Sequence, residues 1–211
     1  MKLSRYFRTR QNPMYLLFWP VYIFRYLLIE GIRRDGGYYD VRCPLDDRIP
    51  FLNFFIIPYI LWYFCFAGVH VWLLIRNDPA YVSYCRYLMI SAGISTTIFL
   101  LFPTCQNLRP GLEGQNSLLD KMVRLIYWMD TNTNVCPSEH VIGSAGFFLA
   151  VFYSENTGKG YKVFFGFLAW MSAVSTVFLK QHSVLDVLAA IPVSMVTWYF
   201  SFRRSGHVWK K

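Results

Sequence analysis

His182 and Asp186 stand four residues apart in the run Lys180-Gln181-His182-Ser183-Val184-Leu185-Asp186. On a helix that spacing puts both side chains on one face. A carboxylate there accepts a hydrogen bond from one imidazole nitrogen, fixes the tautomer, and leaves the other nitrogen free as a base or nucleophile. A second imidazole, His140, sits in Cys136-Pro137-Ser138-Glu139-His140, where the proline suits a helix start. The free N–H groups and positive dipole end of such a start cradle an anion, and the Ser138 hydroxyl adds a donor. Arg109, in Arg109-Pro110, offers a planar fork that matches phosphate oxygens, and Lys180 offers a point charge. Two histidines, one carboxylate and two cations suit phosphoryl transfer without a metal or other cofactor.

Each of these groups lies at the edge of an apolar segment, where a membrane helix would meet water. Histidine and arginine are costly near lipid unless they face a protein interior or a polar cavity. The 211 residues are enough for one domain, and they are 55% hydrophobic and 19% aromatic against 16% charged. A soluble domain rarely carries so few charges. Several apolar runs reach the roughly 20 residues that a helix needs to cross a bilayer. The lipid core offers no partner for backbone polar groups, so such runs must be helical.

The expected architecture is an all-α membrane bundle in a single domain. Six transmembrane helices fall at about 14–32, 51–75, 81–102, 138–153, 161–179 and 184–202. Pro20, Arg25 and Glu30 suit a tilted or partly interfacial first segment. The fourth is rich in small residues (Gly143, Ser144, Ala145 and Gly146), which let backbones approach closely. Pro192 marks an expected kink in the sixth.

Between the third and fourth segments, Leu118, Leu119, Met122, Leu125, Ile126 and Met129 recur at helical spacing, with Asp120, Lys121 and Arg124 on the other face. With Ser117 as N-cap, this reads as an amphipathic helix on the membrane surface.

The net charge of +9 gathers at the ends, in Lys2, Arg5, Arg8 and Arg10 and in Arg203, Arg204, Lys210 and Lys211. In a membrane protein such clusters mark the cytoplasmic side rather than a nucleic-acid partner. Both termini are therefore expected in the cytoplasm of a multi-pass protein of the cell membrane. Arg109, His140 and His182 then share the external face. The five cysteines form no CxxC pair, which argues against a zinc site; Cys105 and Cys136 precede site motifs and are expected as free thiols, with a disulfide between them as the alternative. His70 reads as structural and His207 as solvated. Cys105 is too close to Arg109 for the Cys-x5-Arg loop of a cysteine-dependent phosphatase, and neither HExxH nor a Walker loop occurs.

Arg109-Pro110, Pro137-Ser138-x-His140 and Ser175-Thr176-x5-His182-x3-Asp186 together resemble the three signature motifs of the type 2 phosphatidic acid phosphatase (PAP2) superfamily. The resemblance runs over essentially the whole chain. It implies that His182 attacks phosphorus and forms a phosphohistidine, that Asp186 orients it, and that His140 protonates the leaving oxygen and then activates water. It further implies that Arg109, Ser138 and Ser175 hold the phosphate. Three positions depart from the family pattern: Phe102 where lysine is frequent, Thr176 where arginine is usual, and Glu139 where glycine is common. A similar pattern occurs in the branch with inositol-phosphorylceramide and sphingomyelin synthases, whose acceptor is a lipid alcohol. The expected activity is metal-independent hydrolysis of a lipid phosphomonoester or diphosphate, with lipid phosphotransfer as the alternative and a transporter or scaffold ranked last. The lipid's identity and the oligomeric state are not legible in the sequence.

Overall fold

The structure, a computed structural model, describes residues 13–32, 37–114, 116–155 and 157–203. Apart from Arg203, the basic clusters of the two ends lie outside the described residues, as does His207. The described chain is mostly helical, with seven α-helices: α1 Phe18–Gly31, α2 Ile56–Ile75, α3 Ala80–Leu101, α4 Leu118–Met129, α5 Glu139–Tyr153, α6 Lys159–Phe178 and α7 Val184–Trp198. A 3-10 turn leads into α1 and another into α2, and a π turn, Tyr199–Arg203, extends α7.

Four helices are long and apolar enough to cross a membrane: Asn53–Ile75, Ala80–Leu101, Lys159–Phe178 and Val184–Arg203. Two of the six expected spans fall short of that length. α1 has 14 residues and α5 has 15, about 21 to 23 Å at the rise of an α-helix, against a hydrocarbon core of about 30 Å. The physical reason at α5 is its place. It packs against α2, α3, α6 and α7, and its residues from His140 to Val151 are largely buried. A helix enclosed by other helices meets little lipid along its sides. Its small residues make the enclosure possible: a Cβ at Gly143 would stand 2.6 Å from the Trp62 ring, and one at Gly146 2.7 Å from the Tyr87 ring.

α4 begins as its sequence indicates. Ser117 Oγ accepts from Asp120 N at 3.1 Å while the Asp120 carboxylate accepts from Ser117 N at 3.0 Å, a reciprocal capping box. The expectation that Asp120 faces outward with Lys121 and Arg124 needs correcting. Asp120 is buried, because it also accepts from Asn53 Nδ2 at 2.7 Å. Val123 and Ile126 pack inward with Phe55, Ile56 and Leu179, while Leu118, Leu125, Trp128 and Met129 stay exposed. The helix thus lies across the start of α2 and the end of α6.

The loops at this end are tied to one another. β1 (Tyr39–Asp40) pairs in parallel with β2 (Thr104–Cys105), and Cys105 bridges Thr133. Asn134 N donates to Thr104 O at 2.6 Å and Cys136 N to Thr104 Oγ1 at 3.0 Å. The segments following α1, α3 and α4 therefore form one layer ahead of α5. Cys105 and Cys136 are both free thiols.

Candidate active site

His182 belongs to the short turn between α6 and α7. Gln181 N and His182 N both donate to Thr176 O, at 2.9 and 3.1 Å, while Gln106 Nε2 donates to the carbonyls of Lys180 and Gln181. Lys180 holds φ at +55°, a left-handed conformation that non-glycine residues adopt at some cost. The turn is thus gripped from both sides.

Ser183 caps α7, and the Asp186 carboxylate reaches back to accept from Ser183 N at 2.9 Å. The same oxygen, Oδ2, lies 3.2 Å from His182 Nδ1, and Asp186 is fully buried. With Nδ1 facing the carboxylate, Nε2 is the nitrogen left for chemistry. Burial, and then the neighbouring Asp186 carboxylate, push the Cys136 thiol up to about 12, so it stays protonated.

Asp46, from the loop before α2, holds the same helix start from outside. It accepts from Ser183 Oγ at 2.7 Å, Val184 N at 2.8 Å and Cys43 N at 2.8 Å. Burial opposes its charge, but these donated bonds outweigh it and lower the carboxyl below its usual range. Nothing local in the sequence marks Asp46.

His140 occupies the first turn of α5, behind the Ser138 N-cap, whose Oγ accepts from Val141 N. Its ring stacks on Tyr59, with centroids 4.5 Å apart, and lies 4.4 Å from the Trp62 centroid. The His182 ring is 5.6 Å away. His140 is 9% exposed and its Nε2 has no hydrogen-bond partner among the described residues. Both imidazoles line a cavity of about 330 Å³ enclosed by α1, α2, the α4–α5 connector and the two histidine turns.

The other expected site residues are placed elsewhere. The Arg109 guanidinium donates to the carbonyls of Tyr127, Asp130 and Thr131 at 3.0, 2.8 and 2.8 Å, and lies over the Tyr127 ring. Lys180 Nζ donates to Asp46 O and Ile49 O, and burial lowers its ammonium below the usual value against the pull of Asp46 and Asp47. Ser175 Oγ donates to Ser172 O at 2.6 Å, and Ser138 is fully buried. None of these four lines the cavity.

Arg25 is the cation that does. It pairs with Glu139 at 2.7 Å, and the same carboxylate oxygen accepts from Tyr22 OH at 2.7 Å. Glu139, unusual for the motif, thus has a partner, Arg25, that in the sequence only suits a tilted or partly interfacial first segment. Glu30 and Asp130 line the cavity as well. Among the described residues no group of three or more His, Cys, Asp and Glu is placed to hold a metal ion.

No family model, curated protein or solved structure matches the chain.

Proposed function

We propose that the protein is a membrane enzyme that cleaves a lipid phosphoester through a phosphohistidine, in the manner of the PAP2 superfamily that its motifs resemble. The observation that carries this is the His182–Asp186 pair beside His140 on one cavity wall, with one imidazole oriented and the other free at Nε2. His182 Nε2 attacks phosphorus and the bond to the lipid oxygen breaks. That oxygen leaves with a proton from the His140 imidazolium. His140 then takes a proton from water, whose oxygen displaces His182 and releases the phosphate product.

In this proposal the four long helices are joined by α1 and α5 to give six passes, with both termini in the cytoplasm and the cavity opening on the external leaflet. The exposed Leu118, Leu125, Trp128 and Met129 of α4 rest in the interface beside it.

A second reading replaces water by a lipid alcohol. It is favoured by the cavity wall, where Arg25, the one arginine or lysine among the described lining residues, is already paired with Glu139. A site that releases free phosphate needs more positive charge than this.

The test uses the purified protein in lipid nanodiscs with EDTA, following lipid products and phosphate release beside His182→Ala. Turnover and a trapped phosphohistidine in the wild type, both lost in the variant, are expected. Turnover near wild type in His182→Ala would reject the nucleophile assignment. A new headgroup lipid on adding an acceptor alcohol, with little free phosphate, would select transfer over hydrolysis.

A further inference from the structure

Resting on that reading of the site, we infer that Gln181 holds the attacking water jointly with His140, and so biases the second half of the reaction towards water over an alcohol. Four buried polar atoms on the residues that line the cavity have no hydrogen-bond partner among the described residues: Arg25 Nε, Trp62 Nε1, His140 Nε2 and Gln181 Oε1. The first two are donors and suit phosphate oxygens. Gln181 Oε1 is an acceptor, and so is His140 Nε2 once its proton has gone to the leaving oxygen. A buried acceptor without a donor costs free energy, so two of them beside one cavity call for a molecule that donates twice.

The amide is fixed in this sense by its other end. Gln181 Nε2 donates to Tyr59 OH at 3.4 Å, and Tyr59 OH donates to Asp130 at 2.9 Å. The Asp130 carboxylate, which attracts Arg109, accepts and does not donate, so it takes the single Tyr59 proton. The Tyr59 oxygen then has only a lone pair to offer Gln181. That places the NH2 group on the Tyr59 side and Oε1 on the other. Tyr59 also positions the second acceptor, since its ring stacks on His140. The main chain of Gln181 is held between Thr176 O and Gln106 Nε2, and its side chain is buried. The next residue is His182.

The number of protons on the nucleophile then decides. Water has two O–H bonds, one for His140 Nε2 and one for Gln181 Oε1. An alcohol such as methanol has one, and His140 must take it for the oxygen to attack. Gln181 Oε1 is then left without a donor. With water the step balances. The water oxygen bonds to phosphorus and one proton passes to His140 Nε2. The P–N bond breaks, and its electron pair returns to His182. The second proton stays on the product phosphate, facing Gln181 until release.

The experiment reads a product ratio, in which the amount of folded protein cancels. The full chain in nanodiscs is given phosphatidic acid or p-nitrophenyl phosphate in the presence of methanol, and inorganic phosphate and methyl phosphate are quantified by phosphorus NMR. Per mole of acceptor, the wild type is expected to prefer water. In Gln181→Leu and in Gln181→Met, which lack an oxygen acceptor, the ratio of hydrolysis to methanolysis is expected to fall about tenfold, the factor carried by one hydrogen bond. An unchanged ratio in the variants overturns the inference. So does a wild type that prefers methanol per mole, a result that needs no variant. Both outcomes leave the phosphohistidine reading standing as long as turnover is lost in His182→Ala. Turnover that survives in His182→Ala, or absence of turnover in the wild type, rejects the phosphohistidine reading and the inference with it.

Discussion

Ser138 N–H donates to the carbonyl oxygen of Asp186 at 3.1 Å, which ties the start of α5 to the first turn of α7. The two residues carry nothing to each other through their side chains. Their backbone bond nevertheless sets His140, two residues after Ser138, against His182, four residues before Asp186. The site is assembled from two helix starts joined by this main-chain hydrogen bond, with the Asp186 carboxylate on His182 Nδ1.

Asp186→Asn keeps the size of the side chain and removes the charge that orients His182. Turnover is expected to fall on the order of 10²- to 10⁴-fold, the range for a positioned general acid–base group. The melting temperature in detergent should change far less. Steady-state rates beside thermal unfolding of the purified variant check this; an unchanged rate would remove Asp186 from the mechanism.

His140→Ala separates the two halves of the reaction. With a leaving group that needs no proton, His182 should still be phosphorylated, but water or alcohol is no longer activated. Phosphoenzyme is therefore expected to accumulate, visible as a mass increase of the intact protein. Failure to form any phosphoenzyme with such a substrate would place His140 elsewhere in the scheme.

Gly143→Ala drives a methyl group into the Trp62 ring, 2.6 Å from the added Cβ, and Trp62 lies against His140. Overpacking of this kind costs about 1–3 kcal/mol. Activity is expected to drop more steeply than stability, since the displaced ring is the one that seats the imidazole. Equal losses in Gly143→Ala and Gly146→Ala would argue for a general packing effect, because Gly146 meets Tyr87 instead.

Asp46→Asn weakens the anchor of the α7 start by about 1–3 kcal/mol, the cost of a compromised buried acceptor. The Asp46 carboxyl is lowered in the fold, so its contribution is present above the ordinary carboxylate range and is lost as pH falls through the depressed value. Wild type should therefore lose melting temperature on acidification more steeply than Asp46→Asn. Parallel profiles down to about pH 3 would contradict this.

Arg109→Ala removes three hydrogen bonds to the carbonyls that end α4. Charged donors of this type are worth about 1.5–3 kcal/mol each, so a loss of several degrees in melting temperature is expected. A rise in KM with unchanged stability would instead return Arg109 to the phosphate-holding role that its motif implies.

The helical frame and the pairing of His182 with Asp186 are legible in the residues alone. Apolar runs over 51–75 and 81–102 are long enough to cross a bilayer, where only a helix leaves no backbone group without a partner, and α2 and α3 follow them closely. The four-residue interval from His182 to Asp186 and the Ser117 cap of α4 are local, so helix geometry alone predicts them. Tertiary structure decided which charges face the cavity. Asp46 meets Ser183 across 137 positions and Arg25 meets Glu139 across 114, distances over which no periodicity survives. Arg109 and Lys180 have the right chemistry for phosphate, yet each lies within reach of backbone carbonyls left open at helix ends and turns. A buried cation binds the acceptors that its fold brings nearest, and that competition is settled only by where the helices come to rest.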